Sequence, residues 1–314
     1  MTTASPPLLL LGPQLRTPSL AEALRAADVA GPLLAITAGW QEREAELGAL
    51  EAHLGQQVED LRLYARTEAL FAADPVLADA YRARQAALRE LQDLYRLRLD
   101  HAKAAAREVW RAARDSELRR RSLQAAIEAL RTLDREHLAD IARLHDQFAE
   151  RLQPLERPAL RAQLAQVRAR VAGAGCVLLA GGHVAVLLNR LRLFDAASWL
   201  RDRPLAAWSA GAMALGERVV LFHDHPPQGA GNAEVFEAGL GLVRGLLPLP
   251  HARSRLALAD SHRVGLLARR FAPDPCVTLD HGDWLRVDGP AYSSNGGPRR
   301  LGEAGGLLAL GVAA

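Results

Sequence analysis

One short segment of the sequence has the residues needed to present a serine hydroxyl for nucleophilic attack. The apolar run Leu-Ala-Ala-Trp at 205–208 ends at Ser209, and only small residues follow at 210–212. An apolar strand that turns sharply into a helix exposes the serine Oγ on a strained bend, provided that the neighbouring residues are small. The backbone N–H of Ala210 would then face the position of an oxyanion. The segment predicts either a nucleophilic serine or a serine that only caps the helix.

Two further segments carry the groups that such a serine needs. Gly181 and Gly182 follow an apolar run at 176–180. Because paired glycines let backbone N–H groups approach a ligand, these two residues and Ala210 are the predicted oxyanion donors. His251 follows a proline-bracketed apolar run and is the predicted general base.

A triad histidine needs a carboxylate to hold its tautomer, and the sequence offers more than one. Asp224, in the run Phe-His-Asp-His at 222–225, is the first-ranked candidate and Asp283 is the second. Side chains alternate along a strand, so a site that His281 faces would also receive Asp283 but not Asp280.

The run at 222–225 also permits a different chemistry. His223 and His225 would lie on one face of a strand, as zinc ligands often do. A third ligand such as His251 or His281 would have to converge on them, and the spacing does not require it. We therefore predict neither a metal nor any other cofactor.

Alternating strands and helices must position these residues. Apolar runs at 8–11, 33–38 and 58–64 are separated by stretches with helical spacing, and the alternation resumes after residue 155. This pattern predicts parallel βαβ units in one α/β domain formed by residues 1–65 and 155–314.

Residues 66–154 differ from the rest of the chain. Apolar residues recur about every 3.5 positions along 77–113 and again along 123–152, and no Gly or Pro interrupts residues 76–153. The pattern predicts an inserted, protruding antiparallel helical hairpin of the coiled-coil type. Its aromatic residues exceed what one helix pair buries, so we expect a homodimer through the hairpin; they are Tyr81, Tyr95, Trp110 and Phe148.

The composition excludes several classes of protein. The 39 basic and 36 acidic residues give a net charge of +3 with no basic cluster, so no nucleic-acid partner is expected. No apolar run approaches the roughly 18–20 residues that a membrane helix needs, and the N-terminus lacks a signal-peptide pattern, so a cytoplasmic protein is expected. Cys176 and Cys276 lie in apolar runs typical of buried free thiols.

Several of these segments resemble the serine peptidase family that includes aspartyl dipeptidase (peptidase E) and cyanophycinase. Trp-Ser-Ala-Gly-Ala at 208–212 is similar to the nucleophile motif of that family, and Ala-Gly-Gly-His at 180–183 to its Gly-Gly-Asn turn. Gly-Leu-Gly-Leu at 239–242 with Pro-His at 250–251 resembles its histidine segment, and residues 278–285 resemble its late strand. The resemblance does not extend to the hairpin.

The resemblance implies a three-layer α/β/α sandwich with a mostly parallel sheet, related to class I glutamine amidotransferases. It implies that Ser209 is the nucleophile and His251 its base. The implied reaction is hydrolysis of a peptide or isopeptide bond next to an aspartyl residue, in a small peptide and without a metal. A cationic pocket would serve that residue, and three arginines are near enough in sequence to form one: Arg253, Arg255 and Arg286.

The sequence departs from the family pattern at three positions. His183 replaces the usual asparagine, Ala252 replaces an aromatic residue, and His281 stands where the late acidic residue is expected. Two alternative functions therefore remain open: an inactive relative that uses the hairpin as an interaction arm, and an amidotransferase-like or metal-dependent hydrolase.

Overall fold

The computed structural model describes residues 6–112, 115–224, 231–289 and 291–311. Strands alternate with helices through most of these ranges. The strands are β1 (Leu8–Leu11), β2 (Leu33–Ile36), β3 (Val58–Asp60), β4 (Cys176–Leu179), β5 (Leu205–Trp208), β6 (Arg218–Leu221), β7 (Glu234–Ala238), β8 (Leu247–Pro250), β9 (Cys276–Leu279), β10 (Trp284–Asp288), β11 (Ala291–Ser294), β12 (Arg299–Leu301) and β13 (Leu307–Ala309).

The helices are α1 (Leu20–Ala26), α2 (Gly48–Leu54), α3 (Leu63–Ala73), α4 (Pro75–Arg111), α5 (Glu117–Leu152), α6 (Pro158–Gly173), α7 (Val184–Leu193), α8 (Ala196–Leu200), α9 (Ala210–Leu215), α10 (Ala252–Arg255) and α11 (Ser261–Phe271). Two short 3₁₀ segments lie at Ala38–Arg43 and Pro154–Glu156.

A seven-stranded central sheet has the order β11-β10-β1-β5-β4-β2-β3. The strands β1, β5, β4, β2 and β3 are parallel, and β10 and β11 add an antiparallel edge. A second sheet has the order β13-β12-β9-β8, and β6 pairs with β7. Both the seven-stranded and the four-stranded sheet position the residues of interest, since β5 ends before Ser209 and β8 ends before His251.

The central sheet is apolar on both faces because helices cover both. Along β1 the alternate residue Leu10 belongs to the core that includes α7 and α9, whereas Leu9 and Leu11 belong to the core that includes α1. Fully apolar strands such as Cys-Val-Leu-Leu in β4 are typical of sheets buried in this way. The predicted fold class, an α/β fold with a mostly parallel sheet and a long helical hairpin, is confirmed.

Both cysteines are buried free thiols, as predicted. In the part of the chain that the structure describes, none of the helices combines the length and the apolar character that crossing a membrane requires.

The two long helices begin at capping residues that the sequence supplies. Asp74 accepts a hydrogen bond from the N–H of Leu77 (3.1 Å), and Pro75 occupies the first turn of α4. Ser116 caps α5 by accepting from the N–H of Arg119 (3.2 Å). The two helices then pack against each other as an antiparallel pair.

The hairpin does not protrude, so that prediction was wrong. It packs along α11 and β7, and its inner face belongs to the same core as the central sheet. Tyr81, Tyr95 and Phe148 are each 5% exposed or less, and Trp110 packs edge-on against His262 (ring centroids 5.9 Å apart). Of the four aromatic residues from which the sequence predicted a dimer interface, three are buried within the chain and Trp110 is partly buried.

A buried polar network fastens the hairpin to the α/β part. Arg270 of α11 donates to both carboxylate oxygens of Asp134 (2.6 and 2.7 Å), to the Tyr95 hydroxyl (2.8 Å) and to the carbonyl of Ala233 (2.7 Å). The Tyr95 hydroxyl donates to Asp134 (2.8 Å) and accepts from the N–H of Val235 (3.1 Å). The network explains why polar residues interrupt the apolar stripes of the two helices.

Candidate active site

Ser209 lies on a strained turn between β5 and α9. Its backbone has φ 51° and ψ −121°, a region that residues with a Cβ rarely adopt. Two hydrogen bonds hold the turn: the Ser209 N–H donates to the carbonyl of Leu11 (3.2 Å), and the Ser209 carbonyl accepts from the N–H of Met213 (3.2 Å). A Cβ at Gly211 would lie 2.2 Å from the carbonyl oxygen of Leu179, so only glycine permits this close packing of α9. The strain expected for a nucleophile-bearing turn is present.

The structure brings His251 to Ser209 from the other sheet. His251 follows β8, adopts φ 60°, and donates its N–H to the carbonyl of Leu279 (3.0 Å). Its Nε2 lies 3.1 Å from Ser209 Oγ, a distance at which the hydroxyl donates to a neutral imidazole. Both side chains are partly exposed, so a substrate can reach them. The two side chains form a hydrogen-bonded Ser–His pair, the arrangement that nucleophilic catalysis by a serine requires.

The pKa of His251 fits the role of a proton acceptor. Burial, the guanidinium of Arg255 and the ring of His281 together lower that pKa to about 4. The imidazole is therefore neutral at physiological pH and can accept the proton of the Ser209 hydroxyl. The same shift makes His251 a weaker base than an unperturbed histidine.

Three backbone N–H groups beside Ser209 have no hydrogen-bond partner among the described residues; they belong to Gly181, Gly182 and Ala210. The amides that flank the glycine pair are engaged, since Ala180 donates to Ile36 (3.0 Å) and His183 donates to Gly39 (2.8 Å). Buried amides are nearly always paired, so the unengaged amides of the buried residues Gly181 and Ala210 are available to a ligand, and Gly182 adds an exposed amide to them.

Gly181 packs directly against the serine turn. A Cβ at this position would lie 2.8 Å from the Cβ of Ser209 and 3.5 Å from the amide nitrogen of Ala210. Any larger residue would therefore displace Ser209 or close the space above it. This packing explains the two consecutive glycines better than a simple strand-to-helix turn does.

A loop after β2 forms another part of this region, and the sequence analysis did not assign it a role. Gly39 accepts the N–H of His183 and lies against Gly182, whose φ is +113°. Gln41, in the same segment, has φ 61° and ψ −124°, which is as unusual as the backbone of Ser209. The run Thr-Ala-Gly-Trp at 37–40, placed at the end of a parallel strand, was the available signal.

Asp224 does not contact His251, which corrects its predicted role as the triad acid. Its Oδ2 accepts from the N–H of Ala257 (3.0 Å), and its Oδ1 pairs with the guanidinium of Arg263. Its own N–H donates to the carbonyl of Arg255 (2.7 Å). Asp224 thus holds the segment that follows His251, and its carboxylate is fully engaged there.

Asp283, the alternative acid, is likewise occupied elsewhere. Its Oδ2 accepts from the N–H of Asp280 (2.8 Å), and the N–H of Asp283 donates back to the carbonyl of Asp280 (3.1 Å). These bonds close a turn that follows β9, so the strand alternation used to rank the two carboxylates does not apply. Asp280 accepts from the N–H of Arg253 (3.0 Å).

A second imidazole, that of His281, lies beside His251. The rings of His251 and His281 lie edge to face, with centroids 6.1 Å apart and an interplanar angle of 85°. No carboxylate within the described ranges makes a hydrogen bond to His251. The site therefore contains a Ser–His pair with a second histidine beside it.

The alternative metal site is not assembled by the residues that can be placed. Asp224 is paired with Arg263, and His225 lies outside the described residues. In the ranges that the structure covers, no three His, Cys, Asp or Glu side chains converge as metal ligands do.

The three arginines predicted to form a cationic pocket lie in different surroundings. Arg253 is largely exposed, with its guanidinium 3.5 Å from Asp280, and Arg286 pairs with Asp288 (3.0 Å). Arg255 is half-buried close to His251, and burial lowers the pKa of its guanidinium. Of the three, Arg255 is the one whose charge acts on the Ser209–His251 pair.

Comparisons with known proteins assign the chain to no family. No family model matches it, and no curated protein matches it. A solved structure similar to it is the crystal structure of a peptidase from an acI-B1 Actinobacterium, with 15% identity, 98% of this chain and 96% of that chain covered, and a TM-score of 0.46. A likeness of this degree defines no activity for this chain.

Proposed function

We propose that the protein is a serine hydrolase in which Ser209 is the nucleophile and His251 the general base. The observation that carries this proposal is the 3.1 Å contact between Ser209 Oγ and His251 Nε2, made from a strained turn and joining two separate sheets. Such strain persists only where the surrounding structure enforces it, and it is concentrated at functional sites.

In the proposed mechanism, His251 takes the proton of Ser209 as Oγ attacks a substrate carbonyl. The oxygen of that carbonyl becomes an oxyanion, which accepts hydrogen bonds from the backbone N–H groups of Ala210, Gly181 and Gly182. The protonated His251 then passes its proton to the leaving amine, and water hydrolyses the acyl-enzyme by the same steps.

The proposed orienting group for His251 is His281. A general base needs a partner on its far nitrogen to fix its tautomer and its ring orientation, and carboxylates usually supply it. Here Asp224 and Asp283 are engaged in backbone turns, whereas His281 faces the ring. We expect the imidazole of His281 to accept a hydrogen bond from Nδ1–H of His251, directly or through a water molecule.

The proposed substrate is a small peptide cleaved next to an aspartyl residue, at a peptide or isopeptide bond. What supports it is the charge of the site: Arg255 is half-buried beside His251, and no carboxylate pairs with its guanidinium among the described residues. A substrate carboxylate would compensate that charge with the bidentate geometry that arginine favours.

A fluorophosphonate probe tests the proposal, because it labels a serine only when a base activates it. We expect covalent labelling of the full-length protein at Ser209, mapped by peptide mass spectrometry. The Ser209→Ala variant should not be labelled, and His251→Ala should be labelled slower by three or more orders of magnitude. Both variants should retain the Tm of the wild type within a few degrees, because neither opens a core cavity.

A folded wild-type protein that resists the probe would reject the hydrolase. That result would favour the alternative of an inactive relative that acts as an assembly protein.

Formation of a homodimer through the hairpin stays a proposal, and a smaller exposed apolar surface now supports it. Leu94 and Leu97 on the outer face of α4 are 55% and 63% exposed, and they replace the covered aromatic residues as the apolar surface for a homodimer. Sedimentation velocity at micromolar concentration tests it: a dimer supports the proposal, and a monomer rejects it.

A further inference from the structure

Lys103 is the single lysine of a chain whose 39 Lys and Arg residues are otherwise all arginine. It lies in α4, is only 7% exposed, and belongs to the face of the hairpin that packs on the α/β part. Arginine is larger than lysine and carries a rigid planar fork of donors. Lysine at this position therefore leaves more space between the helices than an arginine would.

The amine of Lys103 is surrounded by positive charge. Its charged neighbours are Arg107 on the same helix, Arg263 and Arg270 on α11, and Asp224. Burial, followed by these three guanidiniums, holds the pKa of the amine well below its usual range. No hydrogen bond or ion pair engages the amine within the ranges described.

The charged groups around the Lys103 amine already bind other residues. Arg270 is neutralised by Asp134, and Arg263 by Asp224. Arg107 donates to the neutral amide oxygen of Asn232 (2.7 Å). After these pairs are formed, the Lys103 amine and the Arg107 guanidinium have no carboxylate in contact among the described residues.

A small cavity lies at this cluster. Its volume is about 30 Å³, and its polar lining consists of Lys103, Arg107, Asp224, Arg263 and Arg270. A site for one water molecule needs roughly 10–15 Å³ of such volume, so this cavity accommodates a ligand of about two water-sized atoms. The remaining lining is apolar, from residues such as Leu256, Leu266 and Leu301.

We propose that this cavity is a binding site for a small monovalent anion, which holds the Lys103 amine in its protonated form and also contacts the guanidinium of Arg107. The size of the cavity selects a halide or a comparably small anion and excludes bulky organic acids. Its place between α4 and α11 means that the bound anion stabilises the junction of the hairpin with the α/β part.

Thermal unfolding of the full-length protein tests the site with chloride as the probe. Sodium chloride replaces sodium gluconate stepwise at constant ionic strength, so that screening of surface charge stays fixed. We expect the Tm of the wild type to rise by about 2 °C or more at saturating chloride, since a ligand bound only by the folded state stabilises it.

The matched variants are Lys103→Met, which removes the amine, and Arg89→Met, which removes an exposed cation from the same helix. Lys103→Met should unfold at a higher Tm than the wild type in gluconate, because it lacks a buried amine that has no hydrogen-bond partner among the described residues, and should not respond to chloride. Arg89→Met should respond as the wild type does. An equal chloride response in Lys103→Met, or none in the wild type, would overturn the proposal.

A crystal of the wild type grown in sodium bromide provides a test independent of any variant. We expect an anomalous difference peak for bromide in contact with the Lys103 amine. A well-ordered Lys103 side chain with no bromide beside it would also overturn the proposal.

Discussion

Two polar clusters of this protein differ in how completely their groups are paired. In the hairpin junction, each donor and acceptor of Arg270, Asp134 and the Tyr95 hydroxyl that can be traced has a partner inside the protein. At the Ser209–His251 pair, backbone amides and the far nitrogen of the imidazole have none among the described residues. The first cluster is closed, and the second is open to a ligand.

The two polar clusters also differ in their backbone conformations. Tyr95, Asp134 and Arg270 lie within regular helices, whereas Ser209 and His251 both have positive φ. Buried polar groups that are fully paired make the structure rigid, while strain and unpaired donors cost stability and persist where function needs them. Pairing therefore distinguishes a structural cluster from a candidate site better than residue type does.

The largest effect is expected from Asp134→Ala, which would break the closed cluster. Removing one partner of a buried ion pair leaves an uncompensated charge, so we expect a loss of about 3–5 kcal/mol in the free energy of unfolding. Chemical denaturation measures this loss. The rate of fluorophosphonate labelling of the remaining folded protein should stay unchanged, because Asp134 does not contact the site.

Asp140→Ala is the control for that variant. Asp140 lies on the same helix and pairs with Arg143 at the surface, so its loss should cost less than about 1 kcal/mol. Equal losses for the two variants would contradict the distinction between the two clusters.

A smaller effect is expected from Asp224→Asn, which tests whether Asp224 has a structural role or belongs to the Ser209–His251 site. The asparagine oxygen can still accept the N–H of Ala257, but the ion pair with Arg263 loses its negative charge. We expect a loss of about 1–3 kcal/mol in stability and a fall of less than tenfold in labelling rate. A fall of several orders of magnitude at unchanged stability would restore Asp224 as the triad acid.

The sequence was sufficient for those parts of the structure that depend on neighbouring residues. The strand at 205–208 and the two long helices of the hairpin follow from apolar runs, helical spacing and the absence of Gly and Pro. Ser209 and His251 each follow directly after a buried strand, and they lie within hydrogen-bonding distance of each other, while their catalytic roles stay a prediction.

The remaining features depend on contacts between distant segments, which spacing does not encode. Asp224 was ranked first because a triad needs an acid, but Arg263, 39 residues away in sequence, takes its carboxylate. The aromatic residues of the hairpin were expected to be exposed, since nothing local indicates that α11 and β7 cover them. Lys103 has no signal beyond being the only lysine.

Variants of His281 test whether this residue is the third member of the open cluster, beside Ser209 and His251. We expect His281→Ala to slow labelling of Ser209 by about tenfold, corresponding to roughly the 1 kcal/mol of one hydrogen bond. His281→Asp should restore the rate or raise it, because a carboxylate is a stronger acceptor for Nδ1–H of His251. A merely structural role would leave both variants equally slow.

The smallest effect is expected from Arg255→Met, and it concerns the pH at which His251 loses its function. Protonated His251 cannot accept the serine proton, so labelling is lost as pH falls through its pKa, about 4 in the wild type. The Arg255 guanidinium disfavours the imidazolium, so its removal should raise that pKa and move the midpoint of the acid limb upward, toward 6.5. The measurement is the labelling rate between pH 3.5 and 8, with circular dichroism at each pH to verify folding.

Arg253→Met is the control, because that arginine is exposed and faces Asp280, so its profile should match the wild type. If Arg255→Met leaves the midpoint unchanged, the charge that lowers the pKa of His251 comes from elsewhere, and Arg255 loses its place beside the reacting groups.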